Sequence, residues 1–444
     1  MKRTTLIALT CCLLASSHLR SESLDKYERI FALSSIWKEM NYSFAFPDKL
    51  FGRLNMDSLY RAYLPLVEQE TDTYRIYKLL SAYMANFNEG HTRMQASSKI
   101  VDTPPVILTN IGDRIVVENV SKDLVREIPI GSEITKVDGI PVRDYIADSV
   151  SIYISASTSH WKWSKSVIEL LSGKSNAQVS VTVTSPDGKE KEVLLQRNYN
   201  QLKKSIKLVK EEVPISIQYL RGGIAYLKLD SFLDFYGDTI NETFLSNVEK
   251  LRQCKGLIID VRKNRGGSDS CWNLIAKYLL ADKSFSVPVK TYSRKYIPAY
   301  IQLGMYIPAL NDFTKGTAME EIQYGNIENE IPDSQKLLQP LVILSGKHTG
   351  SAAEDFVATM RFLRKTPVVG MASSGCMNVP SFYPINNEFG FTICTQKYIL
   401  PDGTQPIDTG IVPDIFVEEE FEKYRMGEDA ALERALDELS KLLS

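Results

Sequence analysis

The run Gly256-Leu-Ile-Ile-Asp260-Val-Arg262-Lys-Asn264-Arg-Gly266-Gly267 reads as an apolar strand that passes straight into paired glycines. A helix is predicted to follow from about Asp269 to Leu280, with Ser268, Asp269 and Ser270 on its N-terminal side. Glycines at such a turn let N–H groups point outward with no Cβ in the way, and the helix dipole adds positive character. The turn can therefore receive an oxyanion, although taken alone it is equally a plain strand-to-helix connection. A second run repeats the plan with a hydroxyl in it. Pro340-Leu-Val-Ile-Leu344 is a strand, Ser345 to Thr349 a short loop, and Ser351 opens a helix whose apolar positions are Ala353, Phe356, Val357, Met360 and Leu363. A serine at a sharp strand-to-helix junction is presented at the edge of a sheet, with the N–H of Ala352 beside it for a developing oxyanion. The alternative is that Ser351 is a helix N-cap and Glu354 completes a capping box.

Around these two runs strands and helices alternate. Ile224 to Leu229 and Gly256 to Val261 suit buried parallel strands, with a helix from about Asp238 to Arg252 between them. Further strands are predicted at Pro340 to Ser345, Pro367 to Gly370 and Phe391 to Ile399. An α/β domain with a mostly parallel sheet follows, spanning 210–425, with a charged terminal helix over 426–444. The aromatic-rich stretch Tyr292 to Leu338 has no clean period and reads as a packed surface loop, or else as a wall over a substrate.

Upstream the period changes twice. Over 24–95 apolar residues recur at helical spacing (Ile30, Leu33, Trp37, Met40; Leu59, Tyr63, Leu66, Val67; Ile76, Leu80, Tyr83, Met84), which predicts a three-helix bundle ending on Asn88-Glu89-Gly90-His91. Over 101–198 short strands are separated by Asp138-Gly139 and Pro186-Asp187-Gly188, which predicts a small β-rich domain. At the start, Lys2 and Arg3 precede an apolar stretch from Leu6 to Ala15 and the small residues Ala15-Ser16-Ser17. This is the plan of a secretory signal over 1–20, so the chain is expected to be exported, periplasmic or secreted. Cys11 and Cys12 leave a lipid anchor open as the route to a membrane.

A chain of 444 residues should divide into about two or three domains. With a formal net charge of -2 and both signs interspersed, it carries no electrostatic footprint for nucleic acid. Cys254, Cys271, Cys376 and Cys394 remain after the signal; four cysteines permit three pairings, and they are read as structural. No CxxC pair or Cys/His cluster suggests a metal.

The motifs, taken in order, resemble those of the tricorn-core and C-terminal processing (tail-specific) serine peptidases. Asp260-Val-Arg-Lys-Asn-Arg-Gly-Gly267 is similar to that family's Asp-x-Arg-x-Asn-x-Gly-Gly, and Gly350-Ser-Ala-Ala-Glu354 to its Ser-Ala-x-Glu. Gly403 and Gly410-Ile-Val-Pro-Asp414 are similar to its closing motifs. Ile128-Pro-Ile-Gly-Ser132-Glu-Ile-Thr-Lys-Val-Asp138-Gly139-Ile-Pro-Val142 resembles the strand pair of bacterial PDZ domains, with Ser132 where an Asp is usual. The resemblance implies a crotonase-like core, a PDZ-like domain that takes a peptide as an added strand, and metal-free, cofactor-free hydrolysis of peptide or unfolded-protein substrates through an acyl-enzyme on Ser351. One branch of the family places a lysine about 25 residues past the nucleophile as the base. Here that neighbourhood, Gly370-Met-Ala-Ser-Ser-Gly-Cys-Met377, has none.

The tricorn-like branch takes its base from a histidine ahead of the PDZ domain, the position of His91. His348, three residues before Ser351, is the competing base, and His160 reads as structural. Asp408 is the expected acid partner of His91, with Gly266, Gly267 and Ala352 as oxyanion donors; the relay through a serine before the histidine, usual in that branch, meets Gly90 instead. Glu354 and Asp355 read as ordinary helix carboxylates. The competing function is a ligand-binding protein or a PDZ adaptor on the same fold without catalysis.

Overall fold

The structure is a computed structural model that describes residues 24–50 and 54–444. The expected signal segment and its two cysteines lie outside the described residues. Among those described, no helix is long and apolar enough to cross a membrane.

The α/β core is a six-stranded sheet in the order Ile215–Leu220, Ile224–Leu229, Gly256–Asp260, Leu341–Ser345, Val368–Gly370, Ile415–Phe416. Only the first pairing is antiparallel. Strand side chains alternate faces, and the two faces have different covers. Leu227, Leu257, Ile259 and Ile343 pack with Trp272, Ile275, Phe356 and Val357 of the helices Ser270–Leu279 and Ala352–Leu363. Tyr226, Ile258, Val342, Leu344 and Val369 pack with Ala431, Ala435 and Leu439 of the helix Ala430–Leu443. The charged terminal helix of the sequence reading is thus two helices, Phe421–Met426 and Ala430–Leu443, parted at Gly427, and the second is amphipathic and closes the sheet. Likewise the helix expected over 238–252 is split into Gly237–Leu245 and Val248–Arg252.

The expected strand near Phe391 does form, as Phe389–Ile399, but it leaves the parallel sheet. It is the long member of an antiparallel sheet with Arg93–Ala96, Val379–Pro384, Lys290–Arg294 and, through the last, Met319–Ile322. Its buried residues Phe389, Phe391, Ile393 and Cys394 belong to the same apolar core as the helices Lys26–Tyr42, Met56–Gln69 and Thr73–Ala85. Those helices start on Asp25, Asn55 and Asp72, whose side chains each accept an N–H of the first turn. The bundle is therefore no separate body: it shares a core with the strand that runs beside Arg93–Ala96. Tyr292 to Leu338, expected to be a loop, contributes two strands to this region and carries short helices between them.

Residues 101–198 form an antiparallel sheet in the order Val106–Ile111, Arg114–Val120, Glu133–Val137, Gln178–Thr184, Glu190–Gln196, with helices Val142–Ser149 and Ser159–Ile168 packed on it. The four cysteines are free.

Candidate active site

Parallel pairing fixes what meets at the end of the central sheet. Leu257 to Asp260 run in register with Leu341 to Leu344, so the loops leaving these two neighbouring strands emerge side by side. The loops are then stitched together. Gly350 N–H donates to the Asn264 carbonyl at 3.0 Å, and Thr349 Oγ1 to the Val261 carbonyl at 2.9 Å. Asn264, fully buried, uses its amide to reach Leu229 O at 2.9 Å and its side-chain oxygen to accept the Gly266 N–H at 2.9 Å. Asp260 and Arg262 anchor the base of the same loop: Arg262 bridges Asp260 and Asp429 at 2.7 Å each, and Asp429 in turn caps the terminal helix at Leu432 N.

The outcome is close contact between the paired glycines and Ser351. A Cβ on Gly266 would lie 2.6 Å from Ser351 Cβ and 2.9 Å from Ala352 N, so only glycine allows this approach. Gly267 has φ 142°, and a Cβ there would lie 1.9 Å from Phe232 O. Ser351 itself has φ 53° and ψ -129°, a strained position for a residue with a side chain and the kind of turn that thrusts a nucleophile out of a sheet. Among the described residues, the N–H groups of Gly267 and Ala352 have no hydrogen-bond acceptor, whereas that of Gly266 is taken by Asn264. Of the three N–H groups expected from sequence as oxyanion donors, those of Gly267 and Ala352 are thus unengaged, and Gly266 is the contact that lets the two loops approach.

Glu354 is no ordinary helix carboxylate. It is fully buried and gathers the N–H groups of Ser351 (3.0 Å), Gly375 (2.9 Å) and Cys376 (2.8 Å) together with the Ser373 hydroxyl. Burial pushes its carboxyl up to about 7 against the pull of those donors. Ser373 Oγ also accepts Ile411 N–H at 2.6 Å, so the closing Gly410-Ile411 segment rests on the same clamp. Asp355, also expected to be ordinary, is buried with Oδ1 unpartnered. Burial, then the charge of Asp269, holds its carboxyl well above the usual range.

His91 reaches this region by a separate route. The turn 89–92 follows the helix Thr73–Ala85 and leads into the strand Arg93–Ala96. Glu89 and Gly90 N–H groups donate to Ser155 Oγ (3.1 Å) and Ser157 Oγ (3.0 Å), and the Thr392 hydroxyl donates to the His91 carbonyl. Gly90 packs so tightly on Cys376, itself held by Glu354, that a Cβ would sit 2.1 Å from its sulfur. The turn is thereby docked onto the Ser373–Cys376 loop that closes over the start of the Ser351 helix.

The carboxylate facing His91 is Glu89. Its Oε1 lies 3.7 Å from His91 Nδ1, within ion-pair range though longer than a hydrogen bond, and neither atom has another partner. Its Oε2 accepts the N–H groups of His91 (3.0 Å) and Thr92 (2.8 Å) and the Thr92 hydroxyl (2.8 Å). Burial raises the Glu89 carboxyl, but His91 and these donors outweigh it and hold it below the usual carboxylate range. Asp408, the expected acid, stands elsewhere: its side chain is 63% exposed and pairs with Lys49 at 3.4 Å, and it forms no ion pair with His91. The displacement has a simple cause, because Asp408 lies on a one-turn helix, Pro406–Thr409, whose buried side is taken by Pro406 and Ile407. Glu89 was missed although it stands two residues before His91; a carboxylate able to cap its own turn and still present its second oxygen was the available signal.

The other histidines differ. His348 is buried, with Nε2 unpartnered and its ring edge-on to Trp161 at 6.2 Å. Burial, followed by the charges of Arg265, Lys347 and Lys263, holds it well below the usual imidazole range. His160 Nε2 lies 2.7 Å from the Ser373 carbonyl, a contact that ties the antiparallel domain to the loop.

Comparison with known proteins bears on the family and the fold. Peptidase family S41 matches residues 223–417. The carboxy-terminal-processing protease of Bartonella bacilliformis is 24% identical over 232 residues, which cover 51% of this chain and 46% of that protein. The chain thus aligns with about half the length of this curated relative. Among solved structures, mature CPAF superposes with a TM-score of 0.68 at 14% identity, covering 94% of this chain and 96% of that one. Its complex with lactacystin gives 0.66 at 13% identity, covering 94% and 98%. The fold is that of these proteins across nearly the whole length, and at residues 223–417 the chain carries a peptidase family S41 domain.

Proposed function

We propose that this chain is a serine peptidase that hydrolyses peptide or unfolded-polypeptide substrates through an acyl-enzyme on Ser351, with His91 as base and Glu89 as the carboxylate that holds His91. The observation that carries the reading is the convergence of a strained Ser351 with two unengaged N–H groups, those of Gly267 and Ala352. His91 takes the Ser351 proton as Oγ adds to the scissile carbonyl, and the oxyanion is received by the two N–H groups. The imidazolium, offset by Glu89, returns its proton to the leaving amine as the C–N bond breaks. Water then enters by the same route, His91 taking its proton and returning one to Ser351 Oγ as the acyl bond is hydrolysed. Asp408, paired with Lys49, has no part in this scheme.

We read residues 101–198 as a PDZ-like module that takes a peptide by strand addition, and the Lys2-Arg3 pattern and apolar run as an export signal. A fluorophosphonate should label Ser351 and abolish hydrolysis of an unstructured polypeptide. A protein that neither reacts at Ser351 nor cleaves polypeptide would be a binding protein on this fold, and the proposal would fail.

A further inference from the structure

Behind the His91 turn lies a cavity of about 250 Å3, the volume of roughly eight waters. Its walls come from the helix Thr73–Ala85, the helices Val142–Ser149 and Ser159–Ile168, and the start of the strand Arg93–Ala96. Five cations face it against two carboxylates, Asp138 and Glu169. Two of the five are accounted for: Lys174 pairs with Asp72 at 2.6 Å, and the Arg197 guanidinium donates to the carbonyls of Leu171 and Gln178.

The other three are Lys78, Arg93 and Lys165. Among the described residues, none of their side chains has an ion-pair or hydrogen-bond partner. Lys165 is the telling one, since it is only 5% exposed. Glu169 is near enough to act on both lysines electrostatically but contacts neither. Lys78 rests on the Tyr153 ring, 3.4 Å from its centroid. An ammonium this deeply buried without a partner is costly, and proteins ordinarily neutralise or pair such a group. Burial, then the charge of Arg93, pushes Lys165 down to about 8; a bound anion would reverse the shift.

We propose that this cavity is a binding site for a small organic carboxylate, with Lys165 as its principal ligand and Lys78 and Arg93 flanking it. The organic part follows from the walls, where the rings of Tyr74, Tyr77, Tyr145 and Tyr153 face the same space and suit an apolar or aromatic body rather than a bare inorganic ion. The site abuts the turn that carries His91. Ser155, one of its lining residues, accepts the Glu89 N–H at 3.1 Å and donates to the Glu89 carbonyl at 2.8 Å.

The test is calorimetric titration of the full chain at fixed ionic strength with benzoate, its neutral counterpart benzamide, and inorganic phosphate. Saturable binding of benzoate with none of benzamide is expected, and Lys165→Met should weaken benzoate at least tenfold. Because that substitution also removes an unpaired buried charge, it should raise Tm in the absence of added anion. Lys78→Gln, on a less buried position, gives a second reading, with benzoate expected to weaken several-fold. Benzoate affinity unchanged in both variants, benzamide binding as well as benzoate, or phosphate binding where benzoate does not would each overturn the proposal. Since binding is read without peptidase turnover, the result is independent of the assignment of Ser351.

Discussion

The two histidines that could serve Ser351 occupy opposite electrostatic surroundings. His348 is three residues away in sequence, yet it is buried among cations with no acceptor at Nε2. His91 comes from another part of the chain, and its Nδ1 side faces a buried carboxylate held ionised by its own turn. Taking a proton creates an imidazolium, and only one of these places offsets that charge. On the proposed assignment of His91, proximity in sequence is a poorer guide to the base than the sign of the surrounding field.

The same contrast runs through two of the buried carboxylates of the site. Glu89 accepts donors and faces an imidazole, so its carboxyl falls; Glu354 has donors but no cation, so desolvation wins and its carboxyl rises. Equal burial gives opposite responses to pH.

The largest effect should come from Ser351→Ala, which removes the nucleophile: kcat on an unstructured polypeptide is expected to fall by at least about 10^4-fold with an unchanged circular dichroism spectrum. The histidine comparison is broken most directly by paired substitutions. His91→Ala should cost about 10^3-fold in kcat and His348→Ala less than about tenfold, and the reverse ranking would move the base to His348.

For the carboxylates the sign can be worked out. With Glu354 raised from 4.5 to about 7, the stability it confers is complete below its unfolded value and lost as pH rises through the folded one. Wild type should therefore lose about 3 kcal/mol relative to Glu354→Gln across that window in urea titrations, if the full shift is realised. Glu89, being depressed, contributes stability above the ordinary carboxylate range and loses it as pH falls through its folded value, so the difference from Glu89→Gln should shrink on acidification. That same variant should lose less turnover than His91→Ala, about 10- to 100-fold in kcat at neutral pH, since it disturbs the orientation and charge balance of His91 without removing it. A Glu89→Gln protein with full activity would leave His91 without a carboxylate that matters.

Much of this was legible in the chain. Apolar runs of strand length that end in glycine or in Gly-Ser marked the two loops that meet, because a buried parallel strand announces itself by composition and its exit turn by residues that tolerate unusual backbone. The strand near Phe391 was legible as a strand but not as a member of a second sheet: alternation reports that a face is buried, never what buries it. The exposed position of Asp408 was illegible for a related reason. Its position in a motif says nothing of which way a one-turn helix points its carboxylate, and Pro406 and Ile407 claimed the inward side. Glu354 looked like half of a capping box, which it is at the Ser351 N–H, but the Ser373–Cys376 loop that it also gathers lies about twenty residues further on, beyond any local pattern.

The helix Ala430–Leu443 is made after every residue named at the site. Until it docks, Tyr226, Ile258, Val342 and Leu344 on one face of the sheet lack their cover, and Arg262 lacks Asp429, the partner that steadies the loop leading to Gly266 and Gly267. A nascent chain would thus carry its serine, histidine and glycines for some time before they are braced into one arrangement. The bracing around Ser351 is therefore complete only once the last helix, Ala430–Leu443, has been made.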